Sequence, residues 1–143
     1  MTELDELEKQ ISWIEDSLLS FIKSTGYSYN HYAVLYSLVY MEDGACTQKS
    51  ISEDWIIPKQ TVFNVCKELK EKGWICFSES SKDKREKILH LTDKGRPYAL
   101  KLYNATDEMS KKVFSAFGKA KTAKLFSLMH ELSSLFKAEI AND

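Results

Sequence analysis

Apolar residues recur at alternating steps of three and four near both ends of this 143-residue chain, and this spacing predicts a mainly helical fold. The first repeat comprises Leu4, Leu7, Ile11, Ile14, Leu18 and Phe21. The later repeats comprise Tyr98, Leu102, Ala105, Met109, Val113 and Phe117, and then, after Gly118, Leu125, Leu128, Leu132 and Leu135. With 5 glycines and 2 prolines, the chain lacks the turn residues of a many-stranded barrel or sandwich. Long amphipathic helices are therefore expected at both ends.

Two shorter helices are predicted after the first one. Ser28 or Asn30 can cap a second helix, which Gly44 is expected to end. Its inward face would comprise Val34, Leu35, Leu38 and Val39. Thr47 is expected to cap a third helix that reaches about residue 55 and buries Ile51.

A fourth helix is predicted between Pro58, which is tolerated in a first helical turn, and Gly73, which is placed to end the helix. Its inward residues Val62, Val65, Cys66 and Leu69 share one face. The opposite face would carry Lys59, Gln60, Phe63, Asn64, Lys67 and Lys70. Amides beside cations suit a surface that meets phosphates and base edges. A merely solvated lysine-rich face is the alternative.

Two strands are predicted next, at residues 74–77 and 88–91, joined by a charged loop at residues 80–87. Thr92 is expected to cap the following helix. A hairpin whose loop carries four basic residues can place cations along a DNA backbone or in a minor groove. Helices followed by an exposed helix and a hairpin indicate a winged helix-turn-helix.

Charge is distributed unevenly, although the net charge is only −1. Residues 1–57 carry 3 basic and 10 acidic side chains, whereas residues 58–96 carry 10 basic and 6 acidic ones. Residues 97–143 carry 7 basic and 5 acidic ones. The basic block therefore coincides with the predicted exposed helix and hairpin, as in a nucleic-acid-binding surface.

The chain resembles the MarR family of winged helix-turn-helix bacterial transcriptional regulators. The resemblance rests on the segment from Thr47 to Gly73 and, most specifically, on Asp83-x-Arg85 followed by Leu91-Thr92-x-x-Gly95. It covers the whole chain, because the family also has long terminal helices. It implies a mainly α fold with a small β-hairpin wing, in which Arg85 enters the minor groove and Asp83 helps to hold it.

The resemblance also assigns reading of the major groove to Gln60, Thr61 and Asn64. Phe63 and Asn64 depart from the residues usual in relatives, so the target sequence stays open; Asn can pair with adenine and Phe can contact a thymine methyl. Together, the expected DNA-binding residues are Thr47, Lys49, Lys59, Gln60, Thr61, Phe63, Asn64, Lys67, Lys82, Lys84, Arg85 and Lys87.

A single domain over residues 1–143 is expected, with a DNA-binding lobe at 28–96 and dimerisation helices at 1–25 and 97–143. A two-fold homodimer would place two recognition helices roughly 34 Å apart on a pseudo-palindromic operator of duplex DNA. Repression is the simplest mode of action for such a dimer, since it can cover a promoter. A winged helix used only for protein contacts is the alternative.

Trp13, Tyr32, Tyr36 and Tyr40 have two interpretations. Packing in the core is the simpler one. The other is a cavity for a small aromatic ligand, which the resemblance implies because family members often bind phenolic compounds.

Among the 3 cysteines, Cys46 is the best candidate for a redox sensor, because it precedes the third helix, whose dipole can lower a thiol pKa. Cys66 is expected to be buried. The cysteine and histidine spacings predict no metal site, and no cofactor is expected. No motif of a hydrolase, phosphate-binding loop or metalloprotease is present, so an enzyme is not expected. With no signal or membrane-spanning segment in the sequence, a cytoplasmic location is expected.

Overall fold

The computed structural model describes residues 1–142, which form six helices and one two-stranded hairpin. The elements are α1 (Glu3–Ser24), α2 (Tyr29–Tyr40), α3 (Gln48–Trp55), α4 (Lys59–Glu71), β1 (Ile75–Glu79), β2 (Lys87–Leu91), α5 (Arg96–Phe117) and α6 (Lys119–Ala141). The chain divides into two compact units, one from Met1 to Asn104 and one that begins at Ala105. The expected mainly helical fold with a β-hairpin wing is confirmed.

Of the two candidate caps for α2, the structure uses Ser28, and Thr47 caps α3 as predicted. The Ser28 hydroxyl accepts a hydrogen bond from the His31 backbone N–H at 3.2 Å. The Thr47 hydroxyl accepts from the Ser50 backbone N–H at 3.0 Å, and the Ser50 hydroxyl is 2.9 Å from the Thr47 backbone N–H. These reciprocal bonds satisfy backbone donors that a helix N-terminus leaves unpaired.

The prediction that Gly44 ends α2 is wrong. The helix ends at Tyr40, because the backbone of Met41 is already extended. Gly44 lies in the following turn with a φ of 85°, where the Ala45 N–H donates to the Glu42 carbonyl at 3.0 Å. Glycine is thus used for a left-handed turn position beyond the helix.

The core of the first unit forms where α2, α3, α4 and the hairpin meet. All four residues predicted for the inward face of α4 are buried, and Val34, Leu35 and Ile51 are buried with them. Leu38 and Val39 of α2 are only partly buried against this core. The periodic spacing on α4 therefore identified its buried face correctly.

The hairpin is antiparallel, with Ile75 opposite Leu91 and Phe77 opposite Leu89. Trp74, which was expected in the first strand, lies just before it. Its ring stacks on Tyr98 of α5 with centroids 4.2 Å apart. An aromatic residue next to a β-branched one is typical of a strand, which is why Trp74 was predicted to belong to β1. In the structure, the Trp74 ring instead packs between the start of the hairpin and α5.

Hydrogen bonds fix the same junction. The Thr92 N–H donates to the Trp74 carbonyl at 3.0 Å, and the Thr92 hydroxyl donates to the Gly73 carbonyl. The Gly95 N–H donates to the Thr92 hydroxyl oxygen at 3.1 Å. A Cβ on Gly95 would lie 2.1 Å from the Trp74 carbonyl oxygen, so only glycine fits there. Thr92 therefore caps a turn that precedes α5, which begins at Arg96.

The apolar repeats of α1 and α6 remain largely exposed within their respective units. On α1, Ile22 is buried, whereas Leu4, Ile11, Ile14 and Leu18 are exposed. No residue of α6 is buried in the structure described, and Leu125, Leu128, Leu132 and Leu135 are exposed. Among residues 1–142, no helix is long and apolar enough to cross a membrane.

Candidate nucleic-acid interface

The outward face of α4 carries polar and basic side chains, as expected. Lys59, Gln60, Phe63, Asn64 and Lys67 are exposed, and Thr61 is partly buried. The Gln60 side-chain Nε2 donates to Asn64 Oδ1 at 3.1 Å. This bond orients both amides along one edge of the helix, which is the type of surface that pairs with adenine.

The loop of the wing is arranged around Asp83. Its carboxylate accepts hydrogen bonds from the Arg85 backbone N–H at 3.0 Å and from Arg85 Nε at 3.3 Å. The Arg85 side chain is 92% exposed, so it projects from the loop while its base is held. Lys82 and Lys84 are also exposed beside it. The structure therefore brings together Asp83 and Arg85, the two residues of the wing that the family resemblance singled out.

A hollow of about 340 Å³ separates α4 from the wing; we call it the basic hollow. It is lined by Thr47, Gln48, Lys49, Lys59, Phe63, Phe77, Arg85, Glu86 and Lys87. Four of these nine residues are cations, and they come from α3, α4 and the hairpin with its loop. Six of the twelve residues expected to bind DNA meet in this hollow, although the sequence separates them by up to 40 positions.

Thr47 has a positioning role in this hollow. Its hydroxyl already accepts the Ser50 N–H, and its backbone forms a bridge with Ile88 of β2. The neighbouring Cys46 carbonyl accepts from the Leu89 N–H at 2.8 Å. These contacts join the N-terminus of α3 to the wing, and Lys49 and Lys87 from these two elements line the same hollow.

Phe77 lines the basic hollow and was not predicted from the sequence to belong to the site. The Lys70 ammonium lies 4.9 Å from its ring centroid, and the Lys87 ammonium lies 5.6 Å from it. Cations above a ring face are attracted by its quadrupole. Strand alternation places Phe77 on the same face as buried Ile75, and this was the available signal. Gln48 and Glu86 also line the hollow and were not predicted.

The tyrosines of α2 form a packed aromatic cluster. Tyr32 stacks on Tyr36 with centroids 5.7 Å apart, and Tyr36 stacks on Tyr40 at 6.0 Å. Trp55 makes edge contacts with Tyr32 and Tyr36, each at 5.9 Å, and Tyr103 lies 5.1 Å from Tyr36. The expected ring cluster therefore exists, with Trp55 and Tyr103 as members that the sequence did not indicate.

Trp13, which was grouped with these tyrosines, is 56% exposed on α1. Its described ring contact is with the Lys9 ammonium, 4.9 Å from the ring centroid. The structure of residues 1–142 contains no group of three or more His, Cys, Asp or Glu residues arranged to hold a metal ion.

The structure speaks against Cys46 as the candidate for a redox sensor. Cys46 is buried, and burial together with the neighbouring Cys66 and Asp54 raises the pKa of its thiol to about 12. Burial likewise raises the pKa of Cys66 to about 12. This desolvation favours the neutral thiol. Cys76 on β1 is the exposed cysteine.

Comparison with known proteins decides the family. The model of the MarR family matches residues 25–86. The structure of NMB1585, a MarR family regulator from Neisseria meningitidis, is 38% identical and covers 99% of each chain, with a TM-score of 0.83. The chain belongs to the MarR family.

Two further proteins are similar to this chain. The HTH-type transcriptional regulator Hpr of Bacillus mycoides is 30% identical over 71% of this chain, which spans only 54% of the length of that relative. Streptococcus pneumoniae FabT, solved in complex with DNA, shares the fold with 19% identity and a TM-score of 0.69, over 95% of this chain and 99% of its own. NMB1585 and Hpr are both named as regulators, and the expectation that the chain is not an enzyme agrees with its family.

Thiol reactivity tests the description of the cysteines. At pH 8, a thiol with a pKa of about 12 is ionised in roughly one molecule in ten thousand, so Cys46 and Cys66 should react very slowly. We expect one fast-reacting thiol per native chain, at Cys76, and three after denaturation, measured with a chromogenic disulfide reagent. Cys76→Ser should remove the fast phase. Fast reaction of Cys46 in that variant would contradict this description.

Proposed function

We propose that this MarR family chain regulates transcription by binding duplex DNA with α4 and the wing. The observation that carries the proposal is the basic hollow, in which Lys49, Lys59, Arg85 and Lys87 converge from three segments. The three lysines among them can contact successive phosphates of a single strand. A helix that merely needed solubility would not require this convergence.

The edge of α4 beside the hollow and the loop of the wing then have different tasks. We assign Gln60 and Asn64, whose amides are already hydrogen-bonded to each other, to base edges in the major groove. Thr61 lies beside them but is partly buried, so it contributes less surface. Arg85 is assigned to the adjacent minor groove, because it projects from a loop that Asp83 holds. Lys67, Lys82 and Lys84 supply further backbone contacts.

We propose that the protein acts as a homodimer. Residues 28–96 would form the DNA-binding lobe, and residues 1–25 and 97–143 would supply the helices that join two copies. The support is the row of exposed apolar side chains on α1 and the corresponding row on α6. Exposed apolar surface of this extent is typical of an interaction site. The operator would be pseudo-palindromic, and repression by covering a promoter is the simplest action of such a dimer.

We also propose that a small aromatic ligand releases the protein from its operator DNA. The stacked rings of the aromatic cluster on α2 are the proposed contact surface for this ligand. Tyr32 is buried, and its burial is also what packing in the core would produce. Binding must favour a dimer whose two recognition helices no longer match the groove spacing. A thermal-shift screen of phenolic acids should find a stabilising compound that also lowers DNA affinity. A stabiliser without any effect on DNA binding would contradict release.

The division between the grooves is tested by fluorescence anisotropy on a duplex from random-site selection. Arg85→Ala should weaken binding at many sites, most strongly where the minor groove is narrow and A·T-rich. Asn64→Ala should relax preference at one base-pair position by about 1–3 kcal/mol. Arg96→Ala is the matched control, because Arg96 is the other arginine of the chain and does not line the hollow.

Three outcomes of that experiment distinguish the alternatives. Equal losses for Arg85→Ala and Asn64→Ala at every sequence would contradict the assigned roles. Failure of selection to enrich any site would favour a winged helix that serves protein contacts only. Enrichment of a site without two-fold symmetry would contradict the operator expected of a dimer.

The dimer is tested by sedimentation velocity. A glutamate at the centre of an apolar interface buries an unpaired charge, which is costly. Leu128→Glu on α6 should therefore lower the molecular mass from two chains to one and abolish high-affinity DNA binding. Lys124→Glu on the same helix should leave the mass unchanged. A wild-type protein that sediments as a monomer at micromolar concentration would contradict the proposal.

A further inference from the structure

Phe63 is an exposed aromatic side chain that the fold does not use. It lies on the outward face of α4 and is 48% exposed. Phe77 packs against the buried core from the other side of the basic hollow, whereas Phe63 belongs neither to that core nor to the residues packed against it. The ring therefore presents apolar surface on a helix face that otherwise carries lysines and amides.

The surroundings of Phe63 indicate what that contact is. Lys59, one turn before it on α4, lines the same hollow, as do Lys49 and Lys87 from the facing elements. If these cations bind the phosphates of one strand, as under the proposed function, that strand passes directly beside the Phe63 ring. The bases attached to the strand then lie towards Gln60 and Asn64 on the adjoining edge of α4.

The chemistry of the major groove limits the occupant. Base edges there present hydrogen-bond donors and acceptors, and thymine alone among the four standard bases adds an apolar C5 methyl group. This methyl projects from the base towards the backbone of its own strand. A ring between the phosphate-binding cations and the base-reading amides is therefore placed to meet it.

We propose that Phe63 is a specificity-determining residue that recognises the C5 methyl group of a thymine in each half-site. This inference rests on the proposed DNA binding. It specifies one base that is recognised, thymine, and the functional group by which it is recognised, the C5 methyl. Gln60 and Asn64 would read hydrogen-bonding edges, and Phe63 would read an apolar group beside them. Loss of Phe63 would thus alter base preference at one position per half-site.

The test replaces each thymine of the selected duplex in turn with deoxyuridine, which removes the methyl and keeps the hydrogen-bonding edge. Affinity is measured by anisotropy at one fixed salt concentration, because phosphate contacts make it salt-dependent. For the wild type, we expect a symmetric pair of positions at which deoxyuridine weakens binding about fourfold, as for one buried methyl-sized group. The other thymines should tolerate the replacement.

Variants then link the methyl to the residue. Phe63→Ala should bind the thymine duplex more weakly and lose its sensitivity to deoxyuridine at that pair of positions. Phe63→Leu, which keeps an apolar side chain, should retain part of the sensitivity. Glu71→Ala is the matched control, because Glu71 is exposed on the same helix and does not line the hollow, and it should keep the full sensitivity. Circular dichroism and thermal unfolding verify that each variant folds, as expected for exposed positions.

Each other outcome overturns the inference. Deoxyuridine sensitivity that persists in Phe63→Ala would assign the methyl to another residue. A wild type that binds the selected site but tolerates deoxyuridine at every position would show that no methyl is read, while the proposed DNA binding would stand. A wild type that selects no site would overturn the proposed function and this inference with it.

Discussion

The close contact between Gly95 and Trp74 is the constraint on which the rest of the interface depends. The backbone of residue 95 approaches the Trp74 carbonyl so closely that a single added Cβ would collide with it. Thr92 stabilises the same junction by donating hydrogen bonds to the backbone carbonyls of Gly73 and Trp74. The Trp74 ring also stacks on Tyr98. The end of α4, the base of the wing and the start of α5 are therefore fixed at one point.

A fixed wing gives the basic hollow its width. Gly73 has a φ of 78°, a left-handed conformation that suits glycine, and it directs the chain from α4 into β1. The N-terminus of α3 is joined to β2 through Cys46 and Thr47, which sets the opposite wall. Lys70 and Lys87 lie over Phe77 in the hollow's wall. Lys87, which lines the hollow, is thus partly preorganised by the ring, and this lowers the entropy cost of binding.

The sequence predicted those features that depend on local periodicity or capping. The inward face of α4, the Ser28 and Thr47 caps and the hairpin follow from spacing and residue type, and the structure contains them. Features that depend on contacts between residues far apart in the sequence were not predicted. Trp74 resembles a strand residue until Tyr98 is seen beside it, and Cys46 resembles a reactive thiol until its burial is known. Phe77 could be assigned to the site only from the structure, which places Lys70 and Lys87 beside its ring.

The central claim is that one DNA strand occupies the basic hollow, and salt dependence tests it most directly. Replacing Lys49, Lys59 and Lys87 together with Gln removes three phosphate contacts per chain and six per dimer. The slope of log affinity against log salt should fall in magnitude by about 5, since each contact contributes about 0.9. A control with Lys101, Lys124 and Lys137 changed to Gln should keep the wild-type slope. An unchanged slope in the first variant would contradict the claim.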